Sequence, residues 1–152
     1  MTEAHVREAR ASDIDYMMSK GLRDQDAREL EVLGVEARPS LEHGLKHSTE
    51  CLTIVVNSEP CAMFGVVPHE GKSGIIWLLG TEDLLKISRR FLRESKHWLD
   101  HITKDYDLVG NVVHKGNTVS TRWLQWLGFI FLSEADDLIQ FARINNPIRK
   151  DQ

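Results

Sequence analysis

The 152-residue chain reads as an α/β (α+β) domain, a central mixed β-sheet of about six to seven strands flanked by helices. Three observations predict this class. A short strand feeds helices in the first 50 residues, and three β-branched, apolar segments follow one another between residues 51 and 80. A long amphipathic helix then stands between two apolar strands, an order that favours a parallel crossover.

In order, "HVREA" at residues 5–9 alternates in character as a half-buried strand does. Ser12 with Asp15 predicts the cap of a first helix. "DQDARELEVLG" predicts a second helix ending at Gly34, and a third begins at Ser40. "CLTIVVN" and "PCAMFGVVP" are strands turned at Ser58 and Glu59, and "IIWLLG" extends them into an antiparallel meander. From Thr81 to about Lys104, Leu84, Ile87, Phe91, Trp98 and Ile102 recur at helical spacing. "DLVGNVV" is a strand and "NTVSTRWLQWL" a compact helix. "GFIFLSE" and "LIQFARI" are a strand pair turned at Asp136 and Asp137. Residues 1–143 are expected to form one domain and residues 144–152 a flexible tail.

Composition narrows the function. The chain has 41% hydrophobic and 28% charged residues and a formal charge of −4, with no apolar run near the ~20 residues that span a bilayer. Its amino terminus lacks the apolar core of a secretion signal, so a cytoplasmic protein without membrane contact is expected. Residues 1–50 carry 11 acidic and 7 basic side chains and the remainder 12 of each, which argues against nucleic-acid binding. Cys51 and Cys61 sit in strand-like runs and read as buried, reduced thiols. The i, i+4 pairs His43/His47 and His97/His101 have no third ligand, so no metal is expected.

Residues 116–131, "GNTVSTRWLQWLGFIF", carry a more specific pattern. Asn117, Ser120, Trp123, Leu124 and Leu127-Gly128-Phe129 follow the spacing of the GNAT acyltransferase family. The chain resembles that family over about residues 5–143, and within it most resembles the small GNAT-like proteins of tailed bacteriophages.

The resemblance implies that the fourth and fifth strands splay to admit the pantetheine arm of acetyl-CoA, with the pyrophosphate over the amino end of the long helix. On this basis the backbone of Ile76, Trp77, Leu78 and Leu79, with Asn117 and Ser120, engages the cofactor. Lys86, Ser88 and Arg89 stand near its phosphates, while His114 or Glu70 moves protons. Asn117 has a second use as a helix cap, and Trp77 either lines the groove or fills it. Two family features are missing. The RxxGxG/A phosphate loop is replaced by Asp83, Lys86 and Ser88 at its key positions, and Leu124 stands where many members have a tyrosine acid. Lys86, Arg89, Arg90, Arg93 and Lys96 form a basic stripe, either a phosphate or partner contact or a solvated face.

Two functions follow from the resemblance. One is acetyl transfer from acetyl-CoA to a small-molecule amine or a protein lysine. The other is a noncatalytic GNAT-fold phage protein that binds a host protein or serves as a virion component.

Overall fold

The computed structural model describes residues 4–87 and 89–145, except for the side chains of Arg89 and Val119. Seven strands form one mixed sheet in the order β1-β2-β3-β4-β5-β7-β6. They are β1 (Ala4–Glu8), β2 (Cys51–Val56), β3 (Glu59–Pro68), β4 (Ser73–Gly80), β5 (Leu108–His114), β6 (Ile130–Ala135) and β7 (Leu138–Ile144). Neighbours run antiparallel except β4 and β5, the parallel pair created by the crossover helix between them.

Helices α1 (Ala11–Lys20), α2 (Asp24–Leu33) and α3 (Ala37–His47) precede the meander; α4 (Arg89–Thr103) and α5 (Thr118–Trp126) flank β5 in sequence. Strand alternation divides the buried side chains between two faces. Ile14, Met17, Leu30 and Leu41 of the first three helices pack with Cys51, Met63 and Leu79. On the other face Phe91, Leu99 and Ile102 of α4 pack with Leu52, Ile54, Phe64, Val66 and Val113. Among the described residues no helix is long and apolar enough to cross a membrane.

Several boundaries differ from the sequence reading for local reasons. Arg10, not Ser12, occupies the cap position of α1, and its N–H donates to the buried Asp13 carboxylate at 2.9 Å. The same carboxylate accepts from both terminal nitrogens of Arg7 and from Thr53 Oγ1, which joins α1 to β1 and β2. Helix α3 starts at Ala37, before Pro39, because a proline in the first turn forfeits no intrahelical bond. The first hairpin turns on Asn57 and Ser58, both at positive φ, as two-residue hairpins require. Asp136 and Asp137 do the same in the second hairpin. Instead of one helix from Thr81, the chain makes a 3-10 turn, Glu82–Lys86, interrupted by extended Ile87 before α4 begins.

Ile144 closes β7, and Asn145 Nδ2 donates to the carbonyls of Thr103 and Tyr106. The rest of the expected tail, residues 146–152, lies outside the described residues.

Candidate functional site

The parallel pair β4/β5 holds together at one end only. Ser73, Gly74 and Ile75 pair with Leu108, Val109 and Gly110, and the ladder then stops. Asn111 closes the apex of the split. Its Nδ2 donates to the Ile76 carbonyl at 2.7 Å, and its Oδ1 accepts from the Val112 N–H at 2.7 Å. Because both main-chain groups of a residue point to the same neighbour in an antiparallel meander, even-numbered β4 residues turn theirs toward the gap. Leu78 therefore presents its N–H and C=O between Ile76 and Gly80. Beyond Asn111 lies a cavity of about 1250 Å³, bordered by Trp77, Val112, Ser120 and Trp123. Ordinary small-molecule sites measure roughly 300–1,000 Å³, so this one has room for a larger or two-part ligand.

One face of α2 bridges the parted strand ends. At β4 the Arg23 N–H donates to the Gly80 carbonyl, and the Gly80 N–H donates to Asp26 Oδ2, both at 2.9 Å. Across the gap, Glu29 Oε1 accepts from the His114 N–H at 3.0 Å and from Asn117 Nδ2 at 3.1 Å. Arg23 grips Asp26 through two nitrogens, at 2.7 and 3.2 Å, with both residues buried. Its Nη2 also reaches Ser120 Oγ at 3.4 Å.

Glu29 is the functional candidate that the sequence reading missed. Burial pushes its carboxyl above the usual range against the pull of the His114 and Asn117 donors, with Asp26 adding to the rise and Arg23 opposing it. Its signal was present in α2. Asp26, Glu29, Leu30 and Leu33 fall at i, i+3, i+4 and i+7, which places two carboxylates on the apolar face of a helix.

The predicted residues separate into groups. His114 and Asn117 meet at Glu29, and Ser120 lies beside them on Arg23. His114 Nδ1 accepts the Gly116 N–H at 3.1 Å, so in the neutral ring its remaining nitrogen carries the proton and is no base. Asn117 is buried and caps α5, accepting the Ser120 N–H at 3.3 Å while its amide donates to Glu29. Glu70 is exposed in the turn before β4, at the paired end of the split. His114 lies six residues beyond the Leu108 that pairs with Ser73, about 20 Å away at ~3.3 Å per residue, so Glu70 and His114 do not share a site.

Ile76 and Leu78 face the core against α4, whereas Trp77 and Leu79 pack on the α1–α3 side. The Trp77 indole lies over Gly44 and donates to Ser48 Oγ at 2.8 Å, so it lines the cavity without filling it.

The segment before α4 is not a phosphate cradle of the usual kind. The Asp83 and Leu84 N–H groups bond to Thr81, and the Ile87 N–H bonds to Leu84. Lys86 pairs with the buried Asp83 at 2.9 Å, and Lys20 approaches the same carboxylate at 3.3 Å. Ser88 and the Arg89 side chain lie outside the described residues. Arg90, Arg93 and Lys96 are exposed on α4, and Arg93 with Arg122 of α5 borders the cavity from this side of the sheet. Cys51 and Cys61 are free and buried, and burial pushes both thiols up to about 12, which makes them unreactive. No cluster of three metal-ligating side chains occurs among the described residues.

No family model matches the sequence, and no curated protein matches it. Solved structures do. The ribosomal-protein-S18-alanine N-acetyltransferase from Escherichia coli aligns over 99% of each chain with a TM-score of 0.69 and 10% identity. The GNAT domain of S. lividans PAT aligns over 93% of this chain and 90% of its own, with a TM-score of 0.70 and 11% identity. Spermidine N-acetyltransferase from Vibrio cholerae, in complex with CoA and spermine, aligns over 93% and 95%, with a TM-score of 0.63 and 11% identity. The fold is thus that of the GNAT acetyltransferases.

Proposed function

We propose that this protein is an acetyl-CoA-dependent N-acyltransferase acting on an amine. The observation that carries the reading is the β4/β5 pair, bonded at Ser73–Ile75 and parted beyond it over a large cavity with the half-buried Glu29 carboxylate at its open end. The Vibrio cholerae enzyme of the same fold was crystallised with CoA and an amine, which supports the pairing of ligands.

The residues present fit the pantetheine arm better than the phosphates. Leu78 offers an N–H and a C=O to an extended amide chain, as a neighbouring strand would. Trp77, Trp123 and Ser120 wall the same space. For the phosphates, Arg93 and Arg122 with the amino end of α4 replace the missing glycine loop. When bound, the cofactor supplies an activated thioester carbonyl. Glu29 takes the proton of the incoming ammonium; its Oε1 is occupied by two donors, which leaves Oε2 for the task. Leu124 packs against the core where a tyrosine acid is common in the family, so that position would supply no proton to a leaving thiolate.

The closed turn at Glu82–Lys86 favours a second reading. Its N–H groups and the Asp83–Lys86 pair are internally satisfied, as in a GNAT-fold protein that has given up catalysis to bind another protein. The resemblance to phage proteins would make that partner a host protein or a virion component. Calorimetry with acetyl-CoA separates the readings. The transferase predicts saturable binding weakened at least tenfold by Arg93→Glu with Arg122→Glu, and silence at millimolar ligand would leave only the binder.

A further inference from the structure

The cavity opens through the split to both faces of the sheet, and the two mouths differ in chemistry. Toward α4 and α5 it is bordered by Arg93 and Arg122. Toward α2 and α3 it is bordered by Leu33, Val35, Pro39 and His43. Leu33 and Val35 are 46% and 47% exposed, unusually open for side chains of their kind. Along α2 the same helix face runs from Asp26 through Glu29 and Leu30 to Leu33, polar at the strand ends and apolar at the mouth.

The charges within this space are unequal in availability. Asp26 is spent on Arg23 and the Gly80 N–H. Among the described residues Glu29 receives two neutral donors and no ion pair, so its charge is hydrogen-bonded but not ion-paired. The other ionisable groups bordering the cavity are Arg23, His43, Arg93 and Arg122, none of which attracts a cation. A ligand with one ammonium finds one partner, and a second ammonium would meet apolar walls or arginines.

We infer that the acceptor is a small monoamine on an apolar body, its ammonium at Glu29 and its body against Leu33, Val35, Pro39 and Trp77. The transfer to this amine rests on the acyltransferase reading; its binding does not. A peptide amino terminus with an apolar first residue shares the chemistry, but its following amide would lie along the Leu33 and Val35 side chains, which offer it no hydrogen bond. The free amine is therefore the tighter ligand.

The test follows the Trp77 indole N–H by NMR, assigned through its loss in Trp77→Phe, as amines are added without acetyl-CoA. 2-Phenylethylamine is expected to bind at least tenfold more tightly than spermidine, and more tightly than a dipeptide amide with amino-terminal phenylalanine. Leu33→Asp, at an exposed position, should weaken 2-phenylethylamine at least tenfold. Leu132→Asp, at a similarly exposed position outside the cavity lining, should not. Equal or tighter binding of spermidine or the dipeptide, or wild-type affinity in Leu33→Asp, overturns the inference. Radiolabelled acetyl-CoA then separates the two levels. Amine binding as expected without acetyl-CoA binding defeats the transferase reading alone, whereas turnover with spermidine only defeats the apolar pocket alone.

Discussion

Replacing Asp26 by alanine tests whether α2 is clamped over the split by a dry ion pair. The change removes the carboxylate paired with Arg23, whose side chain is 5% exposed, and strips the Gly80 N–H of its acceptor. Breaking a buried pair by removing one partner costs about 3–5 kcal/mol. An orphaned buried N–H adds about 1–3 kcal/mol, partly shared with the first cost because water entering the cavity serves both groups. We therefore expect about 4–6 kcal/mol, a large share of the roughly 5–15 kcal/mol that holds a domain folded. At ~2–4 °C per kcal/mol for a chain of this size, Tm should fall by roughly 8–24 °C. Urea unfolding supplies the free energy. The control is Arg23→Met with Asp26→Leu, which removes both charges and leaves only the Gly80 N–H without its acceptor, so it should lose no more than about 3 kcal/mol. A loss below about 1 kcal/mol for Asp26→Ala alone would refute the reasoning, since it would mean that Arg23 is already solvated.

Three further expectations follow. Glu29→Gln keeps an oxygen for the His114 and Asn117 donors, so it should retain stability while turnover falls about 10²–10⁴-fold, read by a thiol-release assay beside thermal melting. Because the Glu29 pKa is raised in the fold, charging it costs stability as pH rises through that value; Gln should make stability less sensitive to pH above the usual carboxylate range. Asp13 has the opposite sign. Burial raises its pKa, but the Arg7, Arg10 and Thr53 donors outweigh this and hold it below 3.8. Its contribution is present above the unfolded value and lost as pH falls through the folded one, so Asp13→Asn should flatten acid unfolding below about pH 4. Gly44→Ala would set a Cβ 2.2 Å from the Trp77 ring; about 1–3 kcal/mol of overpacking and an altered tryptophan emission are expected, and an unchanged urea midpoint would show that the indole moves freely.

Where the sequence reading succeeded, the determinants were local. Continuous β-branched, apolar runs marked β2, β3 and β4, and a glycine at positive φ ended α2 at Gly34. Asn117 was legible as a cap because an asparagine ahead of a helical run needs only its own next turn. The start of α1 was misplaced because Asp13 answers to Arg7 on β1 and to Thr53 on β2, the latter 40 positions away and beyond any local window. The region after Thr81 was misread as helix because its apolar spacing is equally served by a 3-10 turn, and Asp83 is held there by Lys20 of α1 as well as by Lys86.

The candidate site shows the same division. Asn117, Ser120 and His114 lie within seven residues and could be named together from the sequence, whereas Glu29 is 85 residues from the His114 N–H it accepts. By itself the sequence determined the order of strands and helices, the mixed sheet and the missing phosphate glycines, since each depends on neighbouring side chains and backbone preference. The splaying of the fourth and fifth strands was implied by the resemblance, but only the tertiary structure decided that they part after Ile75, that α2 bridges the opening, and that Glu29 is the carboxylate left without an ion-pair partner there. The physical reason is that burial and hydrogen-bond satisfaction are properties of the assembled sheet. A carboxylate on α2 differs from its neighbours in the chain only once β5 and α5 have closed around it.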